Sequence, residues 1–136
     1  MQNKQKQNIN FDASKIRDLC QKHGIKLLLL HGSYAKGTAT AQSDIDIGIL
    51  YDKRKKPFRG YTEIFSDFCE VFGDKFDPVF LNGAEPLICY QTALHGQSLF
   101  QETEHTFADY KVQTIGRYLD TKKFRELEKA YVKRGI

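Results

Sequence analysis

Residues Ile25 to Leu30 form an aliphatic run broken only by Lys26, and Leu27 to Leu30 contain no polar residue at all. A strand with one wet face alternates apolar and polar side chains; a run without alternation predicts a strand covered on both faces. That requires helices on two sides of a sheet and directs the chain to an α/β architecture. A second aliphatic run, Ile45 to Leu50, follows after a Gly32-Ser33 step and carries acids at its start. In an extended segment Asp44 and Asp46 leave the same face, while Ile45 and Ile47 point to the core. Two carboxylates held side by side repel unless a cation lies between them. Hard oxygen ligands of that kind suit magnesium, which usually accompanies a phosphate-bearing substrate. The Gly-Ser turn fits the same chemistry, because glycine lets bare backbone amides approach a phosphate.

The text His31-Gly32-Ser33-Tyr34-Ala35-Lys36-Gly37, followed by Ser43-Asp44-Ile45-Asp46, has ten residues between Ser33 and Asp44. This pattern resembles the signature of the nucleotidyltransferase superfamily that includes DNA polymerase β. It is closer still to the minimal nucleotidyltransferases, the MNT antitoxins of HEPN/MNT toxin–antitoxin pairs. The segment LNGAEPLICYQTALHGQSLFQ, residues 81 to 101, also looks like the matching part of that family, so the resemblance spans roughly residues 11 to 101. It implies a polymerase β-like fold, ATP as substrate and two Mg2+ ions held by Asp44, Asp46 and a third carboxylate from a neighbouring strand. Asp77, an acid inside the apolar stretch Lys75 to Leu81, matches that third position. A lone acid there needs a partner or a metal to offset its desolvation. By the same resemblance Gly32 and Ser33 hold the β- and γ-phosphates and Lys36 adds positive charge. Lys36 stands where the family commonly has arginine, and a lysine offers no bidentate fork. Pro78 is a second departure; it removes a ladder donor and predicts an edge strand or a bulge.

With 136 residues the chain makes one domain with a proper core. The net charge of +4 suits an anionic nucleotide but is too small to argue for nucleic acid. Cys20, Cys69 and Cys89 are far apart and odd in number, so they read as reduced and structural in a cytoplasmic protein. No apolar run approaches membrane-spanning length.

Residues 1 to 9 read as a disordered tail, 10 to 101 as the nucleotidyltransferase domain and 102 to 136 as its C-terminal helical extension. Asp12 caps a helix ending near Gly24, with Ile16, Leu19, Cys20 and His23 at helical spacing. A short helix opens at residues 33 to 37, with Ser33 a candidate cap. Tyr61, Ile64, Phe65, Phe68 and Phe72 mark an amphipathic helix ending at Gly73. Pro86 opens another that stops at Gly96, and Gln97 to Gln101 is a short strand. After Thr103 two helices are expected, one through Phe107, Tyr110, Thr114 and Tyr118, and a last one capped by Asp120 or Thr121 and carrying Phe124, Leu127 and Tyr131. The basic turn Asp52 to Pro57 reads as a solvated loop or as a patch that attracts nucleotide or an acidic partner, Tyr34 as a wall of the nucleotide site or plain packing, and His31 as a packed strand end without a catalytic role.

Some thirty-five residues after the core are too few to enclose a separate acceptor, which points to a partner protein. The MNT resemblance implies which one: such antitoxins neutralise a HEPN ribonuclease toxin by moving AMP from ATP to one of its tyrosines. Two other readings stay open at this point. One is an antitoxin that blocks its partner by contact alone; the other is a small-molecule nucleotidyltransferase completed by a separate substrate-binding subunit. Neither a membrane nor direct nucleic-acid binding is expected.

Overall fold

The structure, a computed structural model, describes residues 11–55 and 60–133. The expected tail at residues 1 to 9, and Lys56 and Pro57 of the basic turn, lie outside them. Four strands make one mixed sheet: β1 (Ile25–His31), β2 (Ile45–Tyr51), β3 (Phe76–Phe80) and β4 (Gln97–Gln101), in the order β3-β2-β1-β4. β1 runs antiparallel to β2 and β4, and β2 runs parallel to β3. A parallel pair needs a crossover, and helix α3 (Tyr61–Phe72) provides it. Pro78 therefore sits on an edge strand, where its missing N–H costs least.

The predicted double coverage of β1 is present. On one face α1 (Ala13–Lys22) and α3 bury Ile16, Cys20, Ile64, Phe68 and Phe72 against Leu28, Leu30, Ile45, Ile47 and Ile49. The Asp12 carboxylate caps α1, accepting from the Ser14 and Lys15 amides at 3.0 and 3.2 Å. On the other face Leu27 and Leu29 pack with Leu81, Ala93 and Tyr110 beneath α4 (Pro86–His95) and α5 (Thr106–Lys133). The Tyr110 hydroxyl is 2.7 Å from the Thr92 hydroxyl and donates to the Cys89 carbonyl, so this second core contains a satisfied polar centre. All three cysteines are free.

Three features differ from expectation. The short helix α2 is Gly32–Lys36, and its N-cap is His31, which makes no side-chain capping bond; Ser33 is inside the first turn. The C-terminal extension is one 28-residue helix instead of two. No glycine or proline lies between Arg117 and Lys133 to stop it. The Thr121 hydroxyl, expected as a cap, bonds back to the Tyr118 carbonyl at 3.1 Å within the helix. Arg125 lies 4.2 Å over the Tyr118 ring, which itself stacks on Tyr90 at 4.1 Å, and ties the middle of α5 to α4. Asp52, expected in a solvated loop, is buried. Its carboxylate takes the Arg54 amide and guanidinium at 3.0–3.2 Å, and this pairing holds its pKa down at about 2. No described helix is long and apolar enough to cross a membrane.

Candidate active site

The N-terminal end of β2 places its acids by register. Asp46 is paired with Asp77 across the parallel β2–β3 ladder and with His31 across the antiparallel β1–β2 ladder. Directly paired residues share a face of the sheet. His31, Asp46 and Asp77 therefore form a row over three strands, on the face opposite Ile45 and Ile47. Asp44 precedes the strand and is exposed. It is set by a turn in which the Thr40 amide donates to the Ser43 hydroxyl at 2.8 Å and the Ser43 amide to the Thr40 carbonyl at 3.1 Å. Lys75, just before β3, donates its ammonium to the Ala41 carbonyl, tying this turn to the strand of Asp77.

Gly32 fits under Asp46. Its φ is +70°, and a Cβ there would lie 2.0 Å from Asp46 Oδ2. The sequence attributes this glycine to phosphate approach; the geometry adds a second requirement, because the space over its Cα holds the Asp46 carboxylate. The Gly32 and Ser33 amides open α2 beside that carboxylate. Gly37, in the left-handed region at φ +77°, closes the same turn, its N–H donating to the Ser33 carbonyl. Tyr34 packs partly against the core, as one of its two expected roles requires. Lys36 is exposed on the last turn of α2 and forms no ion pair with a described residue.

The charges at this site are unbalanced. Burial, then a hydrogen-bonding contact from the Asp77 carboxyl, then the Asp77 and Asp44 charges push the Asp46 pKa up to about 6. Among the described residues no lysine, arginine or histidine forms an ion pair with any of the three acids. The arrangement is not a closed cage: the group of three whose donor atoms all lie within 4.8 Å of one another is His23, Glu63 and Asp67. Asp46 and Asp77 are in contact, and Asp44 acts on Asp46 through charge alone. An open row of hard oxygens with no counter-charge among the described residues fits a divalent cation such as Mg2+ that keeps water or substrate ligands of its own.

The His23 group is built differently. Lys22 places its ammonium 2.9 Å from Asp67 and 3.5 Å from Glu63, and His23 Nε2 lies 2.7 Å from the same Asp67 oxygen. A protein cation already fills the position a metal would take. A metal on Nε2 would also put the proton on His23 Nδ1, which is buried without a hydrogen-bond partner, whereas metal-bound histidines nearly always donate from the second nitrogen. This group is an ion-pair clamp between α1 and α3.

Sequence reasoning passed over two residues that lie at the site. Lys75 bonds the turn before Asp44, and a lysine at a strand start carries no local signal of that. His31 is on the acid face, half-buried; burial pulls its pKa down, opposed by the Asp77 charge, and its Nε2 is buried without a partner among the described residues. The alternation Leu27, Leu29, His31 places it on that face once the register is known.

Comparison with known proteins adds relatives. The family described as Polymerase beta, Nucleotidyltransferase matches residues 14–105. The protein adenylyltransferase MntA of Shewanella oneidensis is 30% identical over 116 residues, covering 84% of this chain and 79% of the relative. The protein adenylyltransferase MntA of Aphanizomenon flos-aquae is 29% identical over 114 residues, covering 77% and 74%. A crystal structure of a toxin–antitoxin with AMP-PNP superposes with a TM-score of 0.71 at 26% identity, over 89% of this chain and 98% of the other. A structure of tri-AMPylated Shewanella oneidensis HEPN toxin in complex with MNT antitoxin gives a TM-score of 0.63 at 25% identity, over 88% and 94%.

Proposed function

Because the chain belongs to the polymerase β-type nucleotidyltransferase family, we propose that it is an MNT-type antitoxin that moves AMP from ATP to a tyrosine hydroxyl of a partner HEPN toxin and so neutralises it. The observation that carries this reading is the register: Asp46 and Asp77 meet across β2 and β3 beside the start of α2, with Asp44 next to them. Relatives named as protein adenylyltransferases, and a similar antitoxin whose HEPN toxin is AMPylated, support the choice of reaction and partner.

Asp44, Asp46 and Asp77 would hold the divalent cations, two Mg2+ ions by the family pattern. Bound there, they supply a lowered acceptor pKa and charge neutralisation on the triphosphate. The chain's own groups orient the substrates. Gly32 and Ser33 offer backbone amides, and Ser33 its hydroxyl, to the β- and γ-phosphates, and Lys36 adds positive charge near them. Asp77 lies on the edge strand β3, beside Asp46. The acceptor supplies the nucleophile, so none is needed from this chain. We place the working protein in the cytoplasm, where ATP and an intracellular toxin are found.

Incubation with a HEPN toxin from the same organism, labelled ATP and Mg2+ tests the proposal. The toxin should take up label and lose ribonuclease activity, and Asp44→Asn with Asp46→Asn should stop both. Silencing of the toxin without label would instead show inhibition by contact. Label on a small acceptor in place of protein would point to a subunit-completed small-molecule transferase.

A further inference from the structure

The face of β1 that carries Leu27 and Leu29 continues to His31. The two leucines fill the core under α4 and α5, and at the third position the side chain turns polar. Its backbone is pinned from both sides. It ends β1 in register with Asp46, and it is the extended N-cap of α2 (φ −138°, ψ −170°), yet its ring makes no capping bond. A leucine there would complete the apolar series at no polar cost. An imidazole instead buries Nε2 without a partner among the described residues, which is unfavourable for a lone buried polar group.

We propose that His31 is a positioning residue for nucleotidyl transfer, holding the Asp46 carboxylate from the β1 side in the orientation that ligating a divalent cation there would need. The inference rests on the adenylyltransferase reading for the reaction, but on register and burial for the residue. Asp46 is confined from three directions: Gly32 lies beneath its carboxylate, Asp77 stands on one flank, and His31 on the other. In an antiparallel pair the Cβ atoms of His31 and Asp46 are about 4.5–5.5 Å apart, within reach of a ring nitrogen and a carboxylate oxygen. While Asp46 and Asp77 are in hydrogen-bonding contact, Asp46 has a polar neighbour. On the side away from Asp77, the imidazole is the polar group beside Asp46 in the row. Nε2 is buried, so that nitrogen acts through Asp46 and not on an incoming acceptor.

The test compares His31→Leu, which keeps the core filled and removes both ring nitrogens, with His31→Gln, which keeps a hydrogen-bonding group. His31→Leu should unfold at the same temperature as the parent or a higher one and keep its KM for ATP. Its kcat for AMP transfer and its affinity for Mn2+ by calorimetry should each fall by roughly 10–100-fold, the usual effect of losing a group that orients a metal-binding side chain. His31→Gln should recover most of both. Transfer and Mn2+ binding equal to the parent in His31→Leu would overturn the proposal and leave a packing role. A second measurement needs no variant: the His31 ring 15N signals should shift when Mg2+ and a non-hydrolysable ATP analogue are added, and unchanged signals count against the role. If the parent transfers no AMP at all while Mn2+ binding still depends on His31, the reaction reading fails and the positioning role stands.

Discussion

Two groups of carboxylates lie on opposite faces of the same sheet. Between α1 and α3, Asp67 and Glu63 are met by Lys22 and by the buried His23, and the Asp67 pKa is held low, chiefly by the hydrogen bonds from Lys22 and His23. At the end of β2, Asp46 is met by more acid, and its pKa is pushed up. The first group is complete as folded and holds two helices together. The second is electrostatically incomplete, and the fold bears that cost at one place. Carboxylates that balance their own charge stabilise structure; carboxylates that leave charge over are available to bind something.

The largest expected effect on this contrast comes from Asp46→Asn. AMP transfer should drop by on the order of 1,000-fold in a labelled-ATP assay, comparable to losing a main electrostatic contributor at an active site. In cation-free buffer the variant should melt higher than the parent, because it removes the repulsion. A lower melting temperature would show that the acid row is not strained. Gly32→Ala comes next. A Cβ 2.0 Å from Asp46 Oδ2, at a φ of +70°, must displace the carboxylate, and misplacing a reacting group by about 1 Å can cost on the order of 100-fold. Normal transfer by this variant would break the assignment of Asp46. Asp67→Ala should leave transfer per folded molecule unchanged while lowering stability by about 1–2 kcal/mol in urea unfolding, because buried His23 loses its partner.

The smallest effect is the pH dependence, and its sign differs between the two faces. The folded pKa of Asp46, about 6, lies above its ordinary value of 3.8, so the folded state binds the extra proton. Without divalent cations its contribution to stability falls as pH rises from about 4 to 6 and then stays level. Asp67, and Asp52 at about 2, are shifted the other way; their contributions are complete above about pH 4 and are lost as pH drops through their folded pKa values. Urea unfolding from pH 3 to 7 should therefore show Asp46→Asn gaining on the parent as pH rises and Asp52→Asn losing to it. Curves that stay parallel across the range would contradict both assignments.

Much of this was readable from residue order because the signals are local. The apolar run Leu27–Leu30, the Asp12 cap, Pro86 at a helix start and the aromatic spacing from Tyr61 to Phe72 each act within a few residues, and the corresponding elements lie where they were expected. The row at the site was only half visible. The Asp-x-Asp spacing puts two acids on one face, but the approach of Asp77 depends on the β2–β3 register, which no local pattern encodes. His31 was set aside because a histidine at a strand end says nothing until its cross-strand neighbour is known. Asp52 was lost in a run of positive charge, since its burial comes from folding back towards Gly24, whose carbonyl takes the Asp52 amide at 2.8 Å. The extra helix break near Asp120 was read from residues that favour caps; the Arg125–Tyr118–Tyr90 stack outweighed that preference.

Pro78 has one further implication. It follows Asp77 on the outermost strand, so the outward border of that strand lacks an amide just where another chain would have to begin a ladder. Edge-to-edge pairing with a strand of another molecule is discouraged there.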